Sequence, residues 1–387
     1  MILRNTPELG RFMTFELSKE KPVHGWFWYK EGYAPELVEW ALKRELETGG
    51  RMPEAVLDPF CGVGTTLLAC KERGIASAGV DASTLAAFIS KAKTDDYDGS
   101  DIESALAFLN KKPDYRAAER MEWPFELFST RAAFPRRNYT EILALREAIE
   151  NEEGRARNLL LLALLSILPQ ASIVMKDGGV LKIDKKKRAL PAREIFKRKV
   201  KRMARELSGR PQGHVPKVFL GDARALDIGS GEADIVITSP PYLNNIDYSK
   251  VYGLELSLLS MSKAEAEEVR MRAIRSFIRA GDRRPETEMP PEVGEVGIRI
   301  PIAGTYFKDM EAAIAEMFRV LAPGGAAYVN VSNSVIHETH ILVDEIFGQM
   351  AERMGFTDVE IVVGAERIAD VKPQKVRTRE SVVVMRK

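Results

Sequence analysis

Two stretches of this 387-residue chain carry residue types that could do chemistry. The first is Thr238-Ser239-Pro240-Pro241-Tyr242, which closes the apolar run Ala233-Asp234-Ile235-Val236-Ile237. That run reads as a buried strand, and the prolines stop it because neither can donate to a ladder. They also stiffen the backbone, so the Ser239 and Pro240 carbonyls are held in place while Tyr242 projects as an aromatic plate. The carbonyls and the Ser239 hydroxyl can accept hydrogen bonds from an exocyclic amino group, and the Tyr242 face can stack on the flat ring carrying it. Taken alone, Pro-Pro-Tyr is more often a plain turn after a strand.

The second stretch changes that balance. Ala55-Val56-Leu57-Asp58-Pro59-Phe60-Cys61-Gly62-Val63-Gly64-Thr65-Thr66 is a short apolar strand, a glycine-bearing turn and the start of a helix. A nucleotide-type cofactor needs this context: Gly62 and Gly64 permit close backbone approach, and a helix N-terminus offers free amide donors. Asp81, at the end of the next predicted strand, is spaced to take two ribose hydroxyls. Asp222 ends a further predicted strand and could accept from an adenine amino group. No Lys follows the glycines and the third Gly of a dinucleotide fingerprint is missing. A ligand with a ribose but no pyrophosphate fits better.

The elements that must position these residues follow a strand–helix alternation, predicting an α/β doubly wound sheet. The alternation breaks between 94 and 215, where helix-spaced apolar residues predict a helical insertion. The chain thus divides into 1–93 with the first motif, 94–215 as an insertion and substrate-recognition subdomain, and 216–387 with the second motif. Residues 176–210 hold 14 Lys and Arg against four acidic residues. This reads either as a solvated helix face or as a phosphate-contact surface, with Lys185, Lys186 and Lys187 as candidates. Arg272, Arg275 and Arg279 share helical spacing in a second basic cluster that continues to Arg283 and Arg284. Aromatics at Trp26, Phe27, Trp28 and Tyr29 lead into a helix from Pro35; they read as core first and pocket second. Residues 243–260, with Tyr248 and Tyr252, predict a helix walling the site, and 285–301 predict a loop at its mouth. The last two strands, near 359–363 and 381–385, are joined by a turn, so the final one should run antiparallel at or near the sheet edge.

Composition narrows the class. A hydrophobic fraction of 45% with 29% charged residues is that of an ordinary globular protein, and the longest apolar segment, 159–168, is too short to span a bilayer. Charged residues near Met1 leave no apolar stretch for a signal peptide, so the expected location is cytoplasmic. Two cysteines and four histidines give neither a disulfide framework nor a structural zinc site, and His337 with His340 lacks a third ligand, so no metal is expected. Four glutamines and two cysteines would suit a thermophile. The net charge of +1 means that any nucleic-acid surface must be local.

With these motifs in view, the chain resembles the S-adenosylmethionine-dependent amino methyltransferases that modify exocyclic amines of bases. Residues 58–66 look like their cofactor loop, and 238–242 look like their catalytic loop in the serine form associated with cytosine. The likeness runs from about Pro22 to the C-terminus and extends to archaeal-type stand-alone enzymes. It implies a Rossmann-like sheet of about seven strands with the last antiparallel. It implies S-adenosylmethionine held by Tyr29, Asp58, Phe60, Gly62, Gly64, Thr65, Thr66, Asp81 and Asp222. Ser239, Pro240 and Tyr242 would be catalytic, and Asn244, Tyr248, Arg272 and Arg275 would join Lys185, Lys186 and Lys187 at the substrate. Because no DNA-reading domain is evident, N4 of cytidine in structured RNA, ribosomal RNA above all, is the expected target, with DNA cytosine as the alternative. Methylation of a protein glutamine and non-catalytic base binding are the rival classes.

Overall fold

The apolar runs at 55–57 and 233–237 lie side by side in the computed structural model, so the motifs that follow them share one end of the sheet. The structure describes residues 1–177, 179–208, 213–244, 246–276, 289–336, 338–371 and 374–387. In chain order the elements are β1 (Ile2–Asn5), α1 (Pro35–Gly49), β2 (Ala55–Asp58), α2 (Thr65–Glu72), β3 (Ala76–Asp81) and α3 (Thr84–Thr94). The insertion carries α4 (Gly99–Phe108), α5 (Tyr115–Arg120), α6 (Thr130–Ala133), α7 (Arg136–Glu150), α8 (Gly154–Ala171), the hairpin β4 (Val174–Asp177) and β5 (Val180–Ile183), and α9 (Ala192–Leu207). There follow β6 (Lys217–Leu220), β7 (Ala233–Thr238), α10 (Tyr248–Val251), α11 (Gly253–Ser260), α12 (Lys263–Arg272), α13 (Gly294–Arg299) and α14 (Pro301–Val320). The chain ends with β8 (Leu321–Ser332), β9 (Ser334–Ile336), β10 (Thr339–Ile341), α15 (Val343–Met354), β11 (Asp358–Val371) and β12 (Gln374–Arg386).

The main sheet has the order β1-β11-β12-β8-β7-β2-β3-β6, a Rossmann-like α/β arrangement in which β12 runs antiparallel to both neighbours. Alternation along the strands sends side chains to two cores. Val56, Ile235, Ile237 and Tyr328 pack with α1 and α2, while Leu57, Val236, Ala327 and Val383 pack with α14 and α15. The insertion has its own apolar centre in α8, where every residue from Leu159 to Leu165 is buried. Among the described residues no helix is long and apolar enough to cross a membrane.

Local signals set several boundaries. Pro35 opens α1, and Gly50, at φ +70°, closes it in the left-handed region. Asp98 accepts from the Ser100 and Asp101 amides while Asp101 reaches back to the Asp98 amide, a capping box that fixes the start of α4.

The structure corrects five expectations about the elements. Among the described residues the sheet has eight strands, because the four exposed residues of β1 pair in parallel with β11. The final strand is interior: β12 lies between β11 and β8, and its run Val382–Met385 is buried on both faces, as a central strand requires. The insertion contains a hairpin as well as helices. The segment expected as a loop at 285–301 is helical from Pro291, with α14 starting at Pro301; residues 285–288 lie outside those described. Finally, α12 stops at Arg272, so Arg272 and Arg275 do not share a helical face. Asn245, Arg210, Arg279, Arg283, Arg284 and His337 lie outside the described residues.

Candidate active site

A cavity of about 350 Å³ opens where the loops after β2, β3, β6 and β7 meet. Tyr29, Phe60, Gly62, Asp81 and Asp222 line it, as do Ser239, Pro240, Tyr242, Asn244, Tyr248 and Arg272. Both motifs therefore face one space at the carboxyl ends of adjacent parallel strands, the usual binding position in open α/β sheets.

The turn after β2 is built around backbone conformations that favour glycine. Gly62 and Gly64 sit at φ +51° and +77°. A Cβ at Gly64 would lie 2.8 Å from Ser90 Oγ and 3.1 Å from Ser90 Cα. Gly64→Ala combines left-handed strain with this crowding and should destabilise the fold by about 1–3 kcal/mol, read as a lowered urea midpoint at constant slope. An unchanged midpoint would contradict the packing described. Ser90 Oγ also donates to the Gly62 carbonyl at 2.8 Å, and the Gly62 amide donates to Asp81 Oδ2 at 2.9 Å. The other Asp81 oxygen accepts from the Ser83 amide at 2.8 Å. Each oxygen thus keeps an accepting position for a ligand hydroxyl. Burial raises the Asp81 carboxyl from its ordinary 3.8 to about 6, against the lowering effect of the two amides.

Asp58, Gly64, Thr65 and Thr66, expected at the cofactor, do not line the cavity. Asp58 is 1% exposed and joins the two motifs from below. Its Oδ1 accepts from Thr238 Oγ at 2.6 Å and from the Phe60 amide at 3.1 Å, and its Oδ2 accepts from Tyr33 Oη at 3.0 Å. Thr66 Oγ completes the network at 2.5 Å from Tyr33 Oη. Burial lifts the Asp58 carboxyl to about 6, opposed by these hydrogen bonds. Asp58 holds the start of the 238–242 loop in register with the glycine turn; that is a positioning role.

The Ser239–Tyr242 loop is anchored to β8 and β12. Ser239 Oγ donates to the Asn330 carbonyl at 3.2 Å, which leaves its lone pairs free to accept. Tyr242 Oη accepts from Asn330 Nδ2 at 2.9 Å and donates to Glu380 Oε1 at 3.1 Å. Burial and the nearby Glu380 push the Tyr242 phenol well above its ordinary range, so it remains a neutral donor. Glu380 is itself raised by burial, in opposition to Arg367, which pairs with its other oxygen. On another part of the wall the Tyr29 and Tyr252 rings stack at 4.6 Å between centroids, and Tyr252 Oη donates to Glu31 at 2.5 Å.

Asp222 lines the cavity with its carboxylate already bound by Arg224, whose Nη2 donates to Oδ2 at 2.6 Å and whose Nε donates to Oδ1 at 2.9 Å. Arg275, expected at the substrate, is engaged elsewhere: its Nε and Nη2 donate to Asp309, which also takes Arg224. Lys187 is also corrected, because its Nζ donates inward to the Pro169 carbonyl at 2.6 Å and to the Val174 carbonyl. Lys185 and Lys186 are exposed but outside the cavity. Sequence reasoning missed Glu31, Asn330, Arg367 and Glu380. A polar Asn in the apolar stretch at 326–331 was the one local sign; the others become neighbours of the site only through the fold.

Comparison with known proteins adds a direction. The chain is similar to type II methyltransferases. It is 26% identical to M.AvaI of Nostoc sp. over an alignment of 407 positions, covering 91% of this chain and 83% of that protein. M.BsoBI of Geobacillus stearothermophilus is 25% identical, across 100% of this chain and 90% of its own length. With M.MjaII of Methanocaldococcus jannaschii the identity is 39% over 101 residues, 26% of this chain and 18% of that protein. No protein-family model matches.

Proposed function

We propose that this protein is a methyltransferase that transfers the methyl group of S-adenosylmethionine to the exocyclic N4 amino group of cytosine in DNA. The observation that carries the reading is the meeting of the Gly62–Asp81 turn and the Ser239–Tyr242 loop in one cavity. The cofactor is S-adenosylmethionine. The residues present fit it: Asp81 has accepting positions left that would take ribose hydroxyls, Gly62 lines the same cavity and would lie under the methionine part, and Asp222, which also lines it, would face the adenine. When bound, it supplies an electrophilic methyl on a good leaving group.

The residues of the chain then have to orient a poor nucleophile. An amino lone pair on a pyrimidine is delocalised into the ring, and acceptors at Ser239 Oγ and the Pro240 carbonyl draw its hydrogens toward a geometry in which the lone pair can attack. Tyr242 stacks on the base, offsetting part of the few kcal/mol needed to take it out of a duplex. In-line placement supplies most of the acceleration, so no covalent adduct and no strong base are required. Cys61 is buried, with its thiol pushed well up by burial, which suits packing and not attack.

The expected RNA target gives way to its alternative. Relatives that align along nine-tenths or all of the chain are named type II methyltransferases, a name for enzymes that modify DNA. The serine in the 238–242 loop supports cytosine over adenine. The insertion at 94–215 is proposed to contact the substrate, with Lys185 and Lys186 on phosphates. Reversing both charges should weaken DNA binding regardless of sequence and flatten the slope of log K against log salt by up to about 2. An unaltered slope would return these lysines to a solvated face. The reading as a whole is tested by incubating the protein with tritiated cofactor and PCR-amplified, hence unmethylated, genomic fragments, then separating the nucleosides. Label in N4-methylcytosine is expected; label in methyladenine, or none in DNA, would overturn it.

A further inference from the structure

We infer that the outer part of the β11–β12 hairpin is the element that enters the groove of duplex DNA beside the target base, an inference that rests on the DNA reading above. Pairing of β12 with β8 ends at Glu380↔Ser332, and pairing of β11 with β1 ends at Val363↔Asn5. The two long strands nevertheless stay paired with each other from Ala365↔Glu380 to Val371↔Gln374. At about 3.3 Å per residue these pairs make a two-stranded ribbon on the order of 20 Å long, standing beyond the sheet at the end where the Ser239–Tyr242 loop lies.

The base of the ribbon is part of the site. Glu380 accepts from Tyr242 Oη, Arg367 pairs with Glu380, and both line the cavity. On the opposite face only the inner end is tied to the fold. Alternation puts Glu366, Ile368, Arg377 and Arg379 on it, and Arg379 is tied back to Asp344 and Glu345. Ile368 is 65% exposed, while the Arg377 side chain is 81% exposed in a 3.5 Å pair with a 64% exposed Glu366. An ion pair this exposed holds its members weakly, so Arg377 can exchange it for another acceptor. An exposed isoleucine opposite an exposed arginine suits base edges: apolar contact with a thymine methyl and a forked donor for guanine.

The shape selects the partner. The major groove of B-form DNA, about 12 Å wide, admits a two-stranded β-ribbon. The major groove of A-form RNA is too narrow for one. A ribbon in the groove, bonded at its root to Tyr242, would set the distance between the sequence being read and the base being methylated.

The double variant Ile368→Ser/Arg377→Ala tests this, since both side chains are exposed and their loss leaves the fold intact. With the unmethylated fragment pool as substrate, the KM for duplex DNA should rise by about tenfold or more, with kcat within about twofold and cofactor affinity by calorimetry unchanged. An unchanged KM, or a loss confined to kcat, would overturn the ribbon assignment, as would duplex RNA competing with duplex DNA on equal terms. Failure of the wild-type protein to label DNA at all would instead overturn the DNA reading, so the two failures are distinguishable.

Discussion

Tyr242→Ala should reduce methyl transfer by about 100-fold or more while cofactor affinity changes by less than about threefold. Stacking of a base on an aromatic side chain contributes about 1–3 kcal/mol, and misplacing the reacting atoms by about 1 Å can cost a further 10²-fold. Both losses fall on the substrate side, because Tyr242 makes its hydrogen bonds to Glu380 and Asn330 and not to the glycine turn. Tyr242→Phe separates the parts. It keeps the ring but removes the hydroxyl anchor, so transfer should fall by a smaller factor. Single-turnover rates with calorimetric cofactor titration decide the matter. Joint loss of cofactor binding and turnover in Tyr242→Ala, with an unchanged thermal midpoint, would place the ring in the cofactor site instead.

What the sequence discloses about this site follows from how local each signal is. The glycine turn and the Ser-Pro-Pro-Tyr loop are legible because a strand, a conformational break and a polar or aromatic tip all lie within a dozen residues. Strand order brings their tips together: the alternation of strands and helices predicts a doubly wound sheet, but that β2 and β7 are neighbours in it is disclosed by the fold. Asp58 shows the limit of such reading. A carboxylate at a strand end suggests a ligand contact, yet burial and hydrogen bonds from Thr238, Phe60 and Tyr33 make it the link between two loops. Lys187 shows the same limit for charge, since its ammonium serves buried carbonyls although it sits among residues that look like a basic patch. The outer β11–β12 ribbon was hidden for a different reason. Glu366, Arg367, Arg377 and Arg379 interrupt any apolar alternation, because a ribbon outside the sheet has no core face to bury. Glu380 and Arg367 enter the site only through that long-range pairing.

The second large effect is expected at Asp81. In the proposed function its carboxylate would accept from two ribose hydroxyls, and charge-assisted hydrogen bonds typically contribute about 1.5–3 kcal/mol. Asp81→Ala should therefore weaken cofactor binding at least about tenfold at neutral pH. A pH signature accompanies it. Burial places the Asp81 carboxyl at about 6, so in the free protein it begins to protonate just below neutrality. If the ionised form is the one that binds, affinity in the wild-type protein should fall by about fivefold between pH 6 and pH 5, and by about tenfold between pH 7 and pH 5. Unfolding is not the cause through these groups, and the sign shows why. The folded-state values of Asp81 and Asp58, both about 6, exceed their ordinary 3.8. Protons thus bind the folded state more tightly, and the stability these groups contribute is complete below about pH 4 and lost as pH rises through about 6. Acidification from pH 6 to pH 5 therefore strengthens the fold at these two positions while it weakens the ligand contact. Calorimetric titration of wild type and Asp81→Ala across pH 5 to 7 separates the effects. The wild-type affinity should slope and the variant should be flat; parallel slopes would assign the dependence to another group and remove Asp81 from the ribose.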